Sequence, residues 1–335
     1  MSAPAASTSP APTVMTVLGP VDSDALGVVD AHDHVLIRSS WGTVREPDLL
    51  IDDETDAADE LDAYRTAGGT TIVDAMPTAC GRDAPGLARL AQRTGVTIVA
   101  TAGYHLSDYY PPWHWYHRLD VDGLAAVIRA EATDGVDAGE HDDPEVRRTG
   151  IRPGLLKAAY GFHRALPAER RALRAVAEVH RETGLPVMVH VEHGADPDAP
   201  LDDLEAAGVS LDRVVLAHLD RTVDPALHAH VLDRGAWLGY DGLYRERARP
   251  ASAVLDLVRS AGSRADRILL GGDVARRSLR RVSGAPGLAG FSGAWRARVR
   301  AELGDDLADL LFTTNPARFL GVVHAEDHPQ KERPS

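Results

Sequence analysis

Short apolar runs rich in β-branched residues recur along the chain, and helix-like segments separate them. This alternation is typical of parallel strands joined by crossover helices. The runs cover residues 27–32, 70–76, 96–103, 150–158, 185–191, 213–219, 236–241 and 267–273. Eight such units in 335 residues predict an α/β fold, a (β/α)8 TIM barrel as a single domain, and a doubly wound sheet fits less well.

The segments between the runs carry helix and loop signals. Residues 53–68, 167–184 and 250–262 have helical patterns and end in glycine, which favours a helix C-terminus. Residues 104–120, YHLSDYYPPWHWYHRLD, are too aromatic and too rich in proline for a helix. We expect this segment to form a long loop over the barrel mouth, where functional loops of this fold lie.

The two ends of the chain are polar and lack these patterns. We expect residues 1–13 to form a disordered leader, residues 14–322 the barrel, and residues 323–335 a polar tail. The leader lacks the basic start and apolar core of a signal peptide, and no run approaches the roughly 18 apolar residues of a membrane span. A single cysteine, Cys80, fits a reducing compartment, so we expect a cytoplasmic protein.

The overall charge narrows the choice of partners. A formal net charge of −14 and a pI near 5.5 create a field that repels phosphate backbones and anionic lipid surfaces. We therefore expect neither a nucleic acid nor a membrane as partner, and a small molecule as the ligand.

Side chains able to bind metals stand at the carboxyl ends of the predicted strands, the face on which barrel enzymes perform their chemistry. These candidates are His32, His34, Lys157, His190, His218 and Asp273. Because side chains alternate along a strand, His32 and His34 point to the same side. Four imidazoles and a carboxylate suit zinc or a similar divalent ion, and the set exceeds what one tetrahedral ion binds. The pattern therefore predicts two ions that share a bridging ligand.

Lys157 is the unusual member of this set. The chain has 36 Lys+Arg, yet lysine occurs only at positions 157 and 331. An ammonium group is costly to bury and offers no lone pair to a metal. A buried lysine with a lowered pKa can react with carbon dioxide to form a carbamate, an anion able to bridge two ions. A Schiff base with a carbonyl substrate is the alternative chemistry, and the surrounding histidines favour the metal interpretation.

The other histidines have simpler expectations. His180, His228 and His230 lie in helical segments, where we expect surface positions. The remaining ones lie in loops near the mouth, where contact with solvent is the default: His105, His114, His117, His163 and His193.

Eight short motifs follow one another between about residues 14 and 321: DAHDH, VDAMPTACGRD, GYHLSDYYP, GLLKAAY, VMVHVEHG, RVVLAHLDR, GGDVARRS and TTNPARFL. Each motif is weak alone, but their order and spacing together are specific. They resemble the phosphotriesterase-like branch of the amidohydrolase superfamily. The family's first motif is commonly His-Glu-His, whereas this chain has Asp33 in the middle, with a side chain expected to point away from the metals.

The resemblance implies roles for the metal-binding candidates. His32, His34 and Asp273 would hold the more buried ion, and His190 and His218 the more exposed one. Carboxylated Lys157 and a hydroxide would bridge the two ions, with zinc favoured over manganese, cobalt or iron. Asp273 would orient the hydroxide and carry its proton to the leaving oxygen.

The resemblance also implies hydrolysis of lactones, phosphotriesters or related esters, with a homodimer as a common assembly. Arg247 and Arg276 follow the last two predicted strands and resemble the cations that grip phosphate in members that open phosphorylated sugar lactones. A tyrosine that often follows the second cation is replaced by Leu279. Tyr104 is a further predicted substrate-binding residue. We expect a lactonase, with a phosphotriesterase or another carboxylic esterase as the alternative.

Two hypotheses other than ester hydrolysis stay open. A Schiff-base lyase that uses Lys157 would survive chelation and would be trapped by borohydride with its substrate. A catalytically silent barrel would bind metal poorly and turn over no ester.

Overall fold

The structure, a computed structural model, describes residues 11–141, 145–194, 196–242 and 250–323. A two-stranded antiparallel hairpin precedes an eight-stranded parallel sheet in which neighbours along the chain are neighbours in space. The strands are β1 Thr13–Thr16, β2 Gly19–Asp22, β3 Val29–Asp33, β4 Thr71–Asp74, β5 Thr97–Gly103, β6 Leu155–Tyr160, β7 Val187–Val191, β8 Val214–Ala217, β9 Trp237–Tyr240 and β10 Ile268–Leu270. Most of residues 1–13 and 323–335, the predicted leader and tail, lie outside the described residues.

The sheet curls until β10 lies beside β3. The Asp273 amide donates to the His32 carbonyl at 3.0 Å, and Gly271 lies so close to β3 that a Cβ there would be 2.8 Å from the Cβ of His32. Strands covered on both faces have no polar face, which explains their continuous apolar runs. The predicted (β/α)8 barrel, as a single domain, is confirmed.

Helices join the strands and cover the outside of the barrel. In order, they are α1 Trp41–Arg45, α2 Glu54–Thr66, α3 Ala84–Thr94, α4 Val121–Asp134, α5 Pro167–Thr183, α6 Asp198–Ala206, α7 Pro225–Asp233, α8 Ala251–Ala261, α9 Leu288–Gly290, α10 Arg296–Leu303, α11 Asp305–Asp309 and α12 Asn315–Leu320. The helices predicted from residues 53–68, 167–184 and 250–262 are α2, α5 and α8. Aspartates at helix N-termini explain several starts, because their carboxylates accept backbone N–H groups. Within the described ranges, no helix is both long and apolar enough to cross a membrane.

Some strand ends differ from the sequence prediction. β6 begins only after Gly154 and continues to Tyr160, so Lys157 lies within the strand and not at its end. The prediction was wrong there because residues 158–160 continue the parallel pairing with β7. His218 and Asp273 come after β8 and β10 and have positive φ angles of 68° and 47°. Such a backbone turns each side chain out of the strand's regular alternation.

The hairpin of β1 and β2 has no counterpart in the sequence prediction. Val17 donates to the carbonyl of Ile98 near the start of β5, so the hairpin lies at the amino end of the barrel. Thr13 also pairs with Val322, which ties the two ends of the barrel segment together. Strands of four residues carry too short an alternating pattern to stand out in a sequence.

Candidate metal centre

The six predicted metal-binding side chains line one cavity at the carboxyl ends of the barrel strands. All of them are at least nine-tenths buried. The Asp273 Oδ1 lies 3.6 Å from the Nε2 of His34 and 4.0 Å from the Nε2 of His32. The Nδ1 of His190 and the Nε2 of His218 are 2.8 Å apart. The structure therefore brings the whole set together.

Strand alternation explains how two of these side chains reach the cavity. Leu155 and Met188 belong to the apolar cluster that fills the barrel beneath the site. Lys157 and His190 lie two residues further along the same strands, and therefore on the same interior face. The apolar cluster gives the site a dry floor, which strengthens electrostatic interactions above it.

Asp241, which the sequence reasoning missed, orients two of the imidazoles. Its Oδ2 lies 2.8 Å from the Nδ1 of His32, and its Oδ1 lies 2.6 Å from the Nδ1 of His218. Burial acts to raise the pKa of Asp241, but the two adjacent histidines outweigh it and hold the pKa well below its usual range. An ionised carboxylate here keeps a proton on both Nδ1 atoms and leaves both Nε2 lone pairs for a metal. The sequence signal that points to Asp241 is its position at the end of the predicted strand 236–241.

Glu192 performs the same task for His190 from the opposite ring atom. Its Oε2 lies 2.7 Å from the Nε2 of His190, which leaves the Nδ1 facing His218. The chain therefore presents the Nε2 atoms of three histidines and the Nδ1 of the fourth to one region.

The protonation of these rings fits metal binding. Burial lowers the pKa of His34 to about 4 and that of His218 to about 3, and it also lowers the pKa of His190. These three rings are thus neutral near pH 7, as imidazole ligands must be. Ligand atoms of His32, His34 and Asp273 lie within 4.8 Å of one another, and a second such group joins His32 and His218 to Asp241, the carboxylate that accepts from their Nδ1 atoms. Nitrogen and carboxylate donors in this arrangement fit divalent ions such as zinc.

Lys157 has the properties that carbamate formation needs. Its Nζ donates to the Ala75 carbonyl at 2.9 Å, and the residue is 1% exposed. Burial lowers the pKa of Lys157 to about 8. A neutral amine is the form that attacks carbon dioxide, and this pKa makes that form accessible near neutral pH.

Two buried aspartates hold the backbone on either side of Asp273. Asp30 Oδ1 accepts from the Gly272 amide at 3.1 Å, and Asp33 Oδ1 accepts from the Val274 amide at 3.0 Å. Asp33 also accepts from the His34 amide at 2.7 Å, so its side chain faces the backbone, as expected. These bonds stabilise the left-handed conformation that aims Asp273 at the imidazoles.

Of the three predicted substrate-binding residues, one lines the cavity, one lies away from it and one lies outside the described residues. Arg276 lines the cavity, which has a volume of about 180 Å³. Tyr104 lies away from it: its ring is buried against Tyr110 and Tyr116, and its hydroxyl donates to the Leu124 carbonyl at 2.8 Å. Arg247 lies outside the described residues.

Other residues of the 104–120 loop line the cavity. His105 and Tyr109 both face it, and the His105 ring centroid is 4.8 Å from that of His190. Periodicity does not show which side chains of an irregular loop turn inward, so the sequence predicts Tyr104 as the substrate-binding residue and not His105 or Tyr109.

Two helical histidines expected at the surface are buried instead. His180 contacts the Leu185 carbonyl through Nδ1 at 2.7 Å, and His228 lies between the Tyr240 hydroxyl and the Leu219 carbonyl. Each occupies the barrel-facing side of its helix and finds polar partners there, so burial is tolerated. His230 is exposed, as expected.

Comparisons with known proteins agree with this architecture. The model of the phosphotriesterase family matches residues 12–320. A phospho-furanose lactonase from Mycoplasmopsis agalactiae is 28% identical over 72% of this chain and 70% of the relative. An N-acetyltaurine hydrolase from Tetraodon nigroviridis is 30% identical over 68% of this chain and 71% of the relative.

Solved structures give the same result. The crystal structure of a lactonase from Listeria monocytogenes superposes with a TM-score of 0.86 at 27% identity, covering 93% of this chain and all of the lactonase. The match of fold, length and motif order confirms the resemblance noted in the sequence. The chain therefore belongs to the phosphotriesterase family and is a metal-dependent hydrolase, as its motifs predict.

Proposed function

We propose that the protein is a lactonase that opens the ring of a phosphorylated sugar lactone with the help of two divalent cations. One observation carries the proposal: the metal-binding set and Arg276 line the same cavity. His32, His34 and Asp273 would hold one ion, and His190 and His218 the other. Lys157, once carboxylated, would supply oxygen ligands to both.

Divalent cations at such a site supply hydroxide near neutral pH and polarise the carbonyl oxygen of the ester. The chain's own residues do the rest. Asp273 directs Oδ1 toward His32 and His34, and its Oδ2 lies 3.3 Å from an Arg221 guanidinium nitrogen. We assign to Oδ2 the proton that is released on attack and passed to the ring oxygen as it leaves. Arg221 stabilises the ionised carboxylate between turnovers.

Substrate recognition would come from the cavity mouth. Arg276 offers a guanidinium that can bind a phosphate through two parallel hydrogen bonds. The relative named phospho-furanose lactonase supports this substrate class. His105 and Tyr109 are the cavity-lining residues that would contact the sugar ring. They replace Tyr104 in this role.

Metal analysis followed by a substrate panel tests the proposal. The panel holds a plain lactone, its phosphorylated counterpart, a phosphotriester and N-acetyltaurine. We expect two equivalents of metal per chain, loss of activity after chelation, and the highest kcat/KM for the phosphorylated lactone. Preferred hydrolysis of the phosphotriester or of N-acetyltaurine would replace the lactone assignment by that activity.

Lys157→Ala separates the metal mechanism from a Schiff-base lyase. Short carboxylic acids can occupy the space of a carbamate and restore a bridging ligand, but they cannot form an imine. We expect added acetate or propionate to restore part of the activity of Lys157→Ala. Lys157→Arg, which fills that space with a guanidinium, should not respond. Borohydride inactivation of the wild-type protein with substrate would favour the lyase.

We also propose a cytoplasmic location, with no nucleic acid or membrane as partner. The net charge of −14 and the single cysteine support this proposal. Cell fractionation and the absence of binding to DNA or anionic vesicles at low salt would test it.

A further inference from the structure

The guanidinium of Arg276 forms an ion pair with a carboxylate at the mouth of the cavity. One of its nitrogens lies 2.6 Å from the Oε2 of Glu46, and both residues line the cavity. Glu46 comes from the loop between α1 and the next turn, whereas Arg276 follows β10. The cation that would bind an anionic substrate therefore already has an anionic partner on a neighbouring loop.

A second carboxylate nearby is engaged elsewhere. Asp48 accepts from the Ser278 amide at 2.9 Å and from the Ser278 hydroxyl at 2.6 Å. Its nearest oxygen is 4.0 Å from Arg276. Asp48 thus fastens this loop to the segment after β10, and among the carboxylates of the described ranges Glu46 is the one in close contact with Arg276.

The described cavity wall is not strongly cationic. It carries the carboxylates of Glu46, Glu192 and Asp273, the side-chain amine of Lys157 and the guanidinium groups of Arg221 and Arg276. Arg221 is engaged with Asp273. A phosphate that approaches this wall would meet Arg276 together with the negative charge of Glu46, and it would have to displace Glu46 to form a bidentate contact.

We propose that Glu46 is a specificity-determining residue that competes with the substrate's phosphate for Arg276. The inference rests on the proposed function, in which Arg276 binds that phosphate. While Glu46 occupies Arg276, the pair carries no net charge, and unphosphorylated lactones can enter without breaking it. When phosphate replaces Glu46, the affinity for the phosphorylated substrate is reduced by the free energy of the broken ion pair and by repulsion from the released carboxylate.

The test is Glu46→Gln, which keeps the shape of the side chain and removes its charge. Isothermal titration with inorganic phosphate should show about two- to fivefold tighter binding than to the wild-type protein, because ion pairs with this exposure are individually weak. The difference should shrink as salt is added. The KM for a phosphorylated lactone should fall relative to the KM for the plain lactone, so that the ratio of the two changes by a similar factor.

Two further variants isolate the cause. In an Arg276→Gln background, Glu46→Gln should have no effect on phosphate binding, since the competitor then has nothing to compete for. Glu54→Gln removes a carboxylate from a surface ion pair with Arg89, away from the cavity, and should leave phosphate binding unchanged.

The outcomes also separate this inference from the proposed function. Tighter phosphate binding by Glu46→Gln without any lactone turnover would support the competition while refuting the lactonase. Lactone turnover with unchanged phosphate affinity and an unchanged KM ratio would overturn the role of Glu46 and leave the lactonase standing. An equal gain in the Arg276→Gln background would also overturn it.

Discussion

Replacing Asp241 by asparagine should weaken metal binding without changing any metal ligand of the proposed set. The carboxylate accepts hydrogen bonds from the Nδ1 atoms of His32 and His218 at 2.8 and 2.6 Å. An asparagine has one carbonyl oxygen and one amide nitrogen, so it can accept from only one of the two rings. The other ring must face an N–H group. That contact favours the tautomer with its proton on Nε2, the atom needed for the metal.

The size of the effect follows from these two bonds. Each is a charge-assisted hydrogen bond inside a buried site, and losing one typically costs about 1.5–3 kcal/mol. Changes to the groups that orient metal-binding histidines usually cost about 10- to 100-fold in metal affinity or activity. We therefore expect the Asp241→Asn variant to lose metal affinity by a factor within that range.

Competition with a chromophoric chelator measures this affinity on protein stripped of metal and reloaded with zinc. Asp198→Asn is a matched control, because Asp198 accepts from His230 at 2.8 Å on the exposed surface. Both variants should keep the circular dichroism spectrum of the wild-type protein. Only Asp241→Asn should release zinc at lower chelator concentrations.

An Asp241→Asn variant that holds zinc as tightly as the wild type would refute the orienting role of this carboxylate. Equal losses in Asp241→Asn and Asp198→Asn would also refute it, because the effect would then not depend on the cavity. Partial recovery in Asp241→Glu, which restores two acceptor oxygens, would strengthen the argument.

Three further predictions concern the surroundings of the site and the fold. Asp33→Leu removes the acceptor for the Val274 amide beside Asp273, and we expect kcat to fall by at least about tenfold with little change in KM. Asp33→Asn keeps an acceptor oxygen and should retain most activity. Arg82→Met leaves two buried carboxylates without their cation, so the free energy of unfolding in urea should drop by about 3–5 kcal/mol, and neutralising both carboxylates in the same chain should recover much of it. Burial lowers the pKa of His180, so as the pH drops this imidazole is protonated in the unfolded chain before it is protonated in the folded protein. The free energy of unfolding that is present above about pH 6.5 therefore falls as the pH drops. His180→Gln should flatten that fall in metal-free protein by up to about 1.4 kcal/mol per pH unit, and an unchanged slope would contradict the assignment.

Periodicity in the sequence was enough to predict the barrel and the set of side chains at its mouth. Each barrel strand is buried on both faces, so its apolar run is continuous and easy to recognise. His32, His34 and His190 lie in or directly after such runs, and the geometry of parallel strands brings their carboxyl ends to one edge. The family match depends on the same motifs, because their order reflects the order of the strands.

Features that depend on particular side-chain contacts could not be derived in this way. The roles of Asp241 and Glu192 require knowing which ring nitrogen each carboxylate reaches. The choice between Tyr104 and Tyr109 depends on an irregular loop, where local backbone angles and not a period decide which ring turns inward.

Local patterns of burial and spacing along the chain are enough to predict the barrel, its strand order and the chemical kinds of side chain at its mouth. The fold is needed to see which oxygen meets which nitrogen, that Asp273 has a left-handed backbone conformation, and that Arg276 forms an ion pair with Glu46. Several of these contacts join residues more than 200 positions apart, such as His32 with Asp241 and Glu46 with Arg276, and no local period records them.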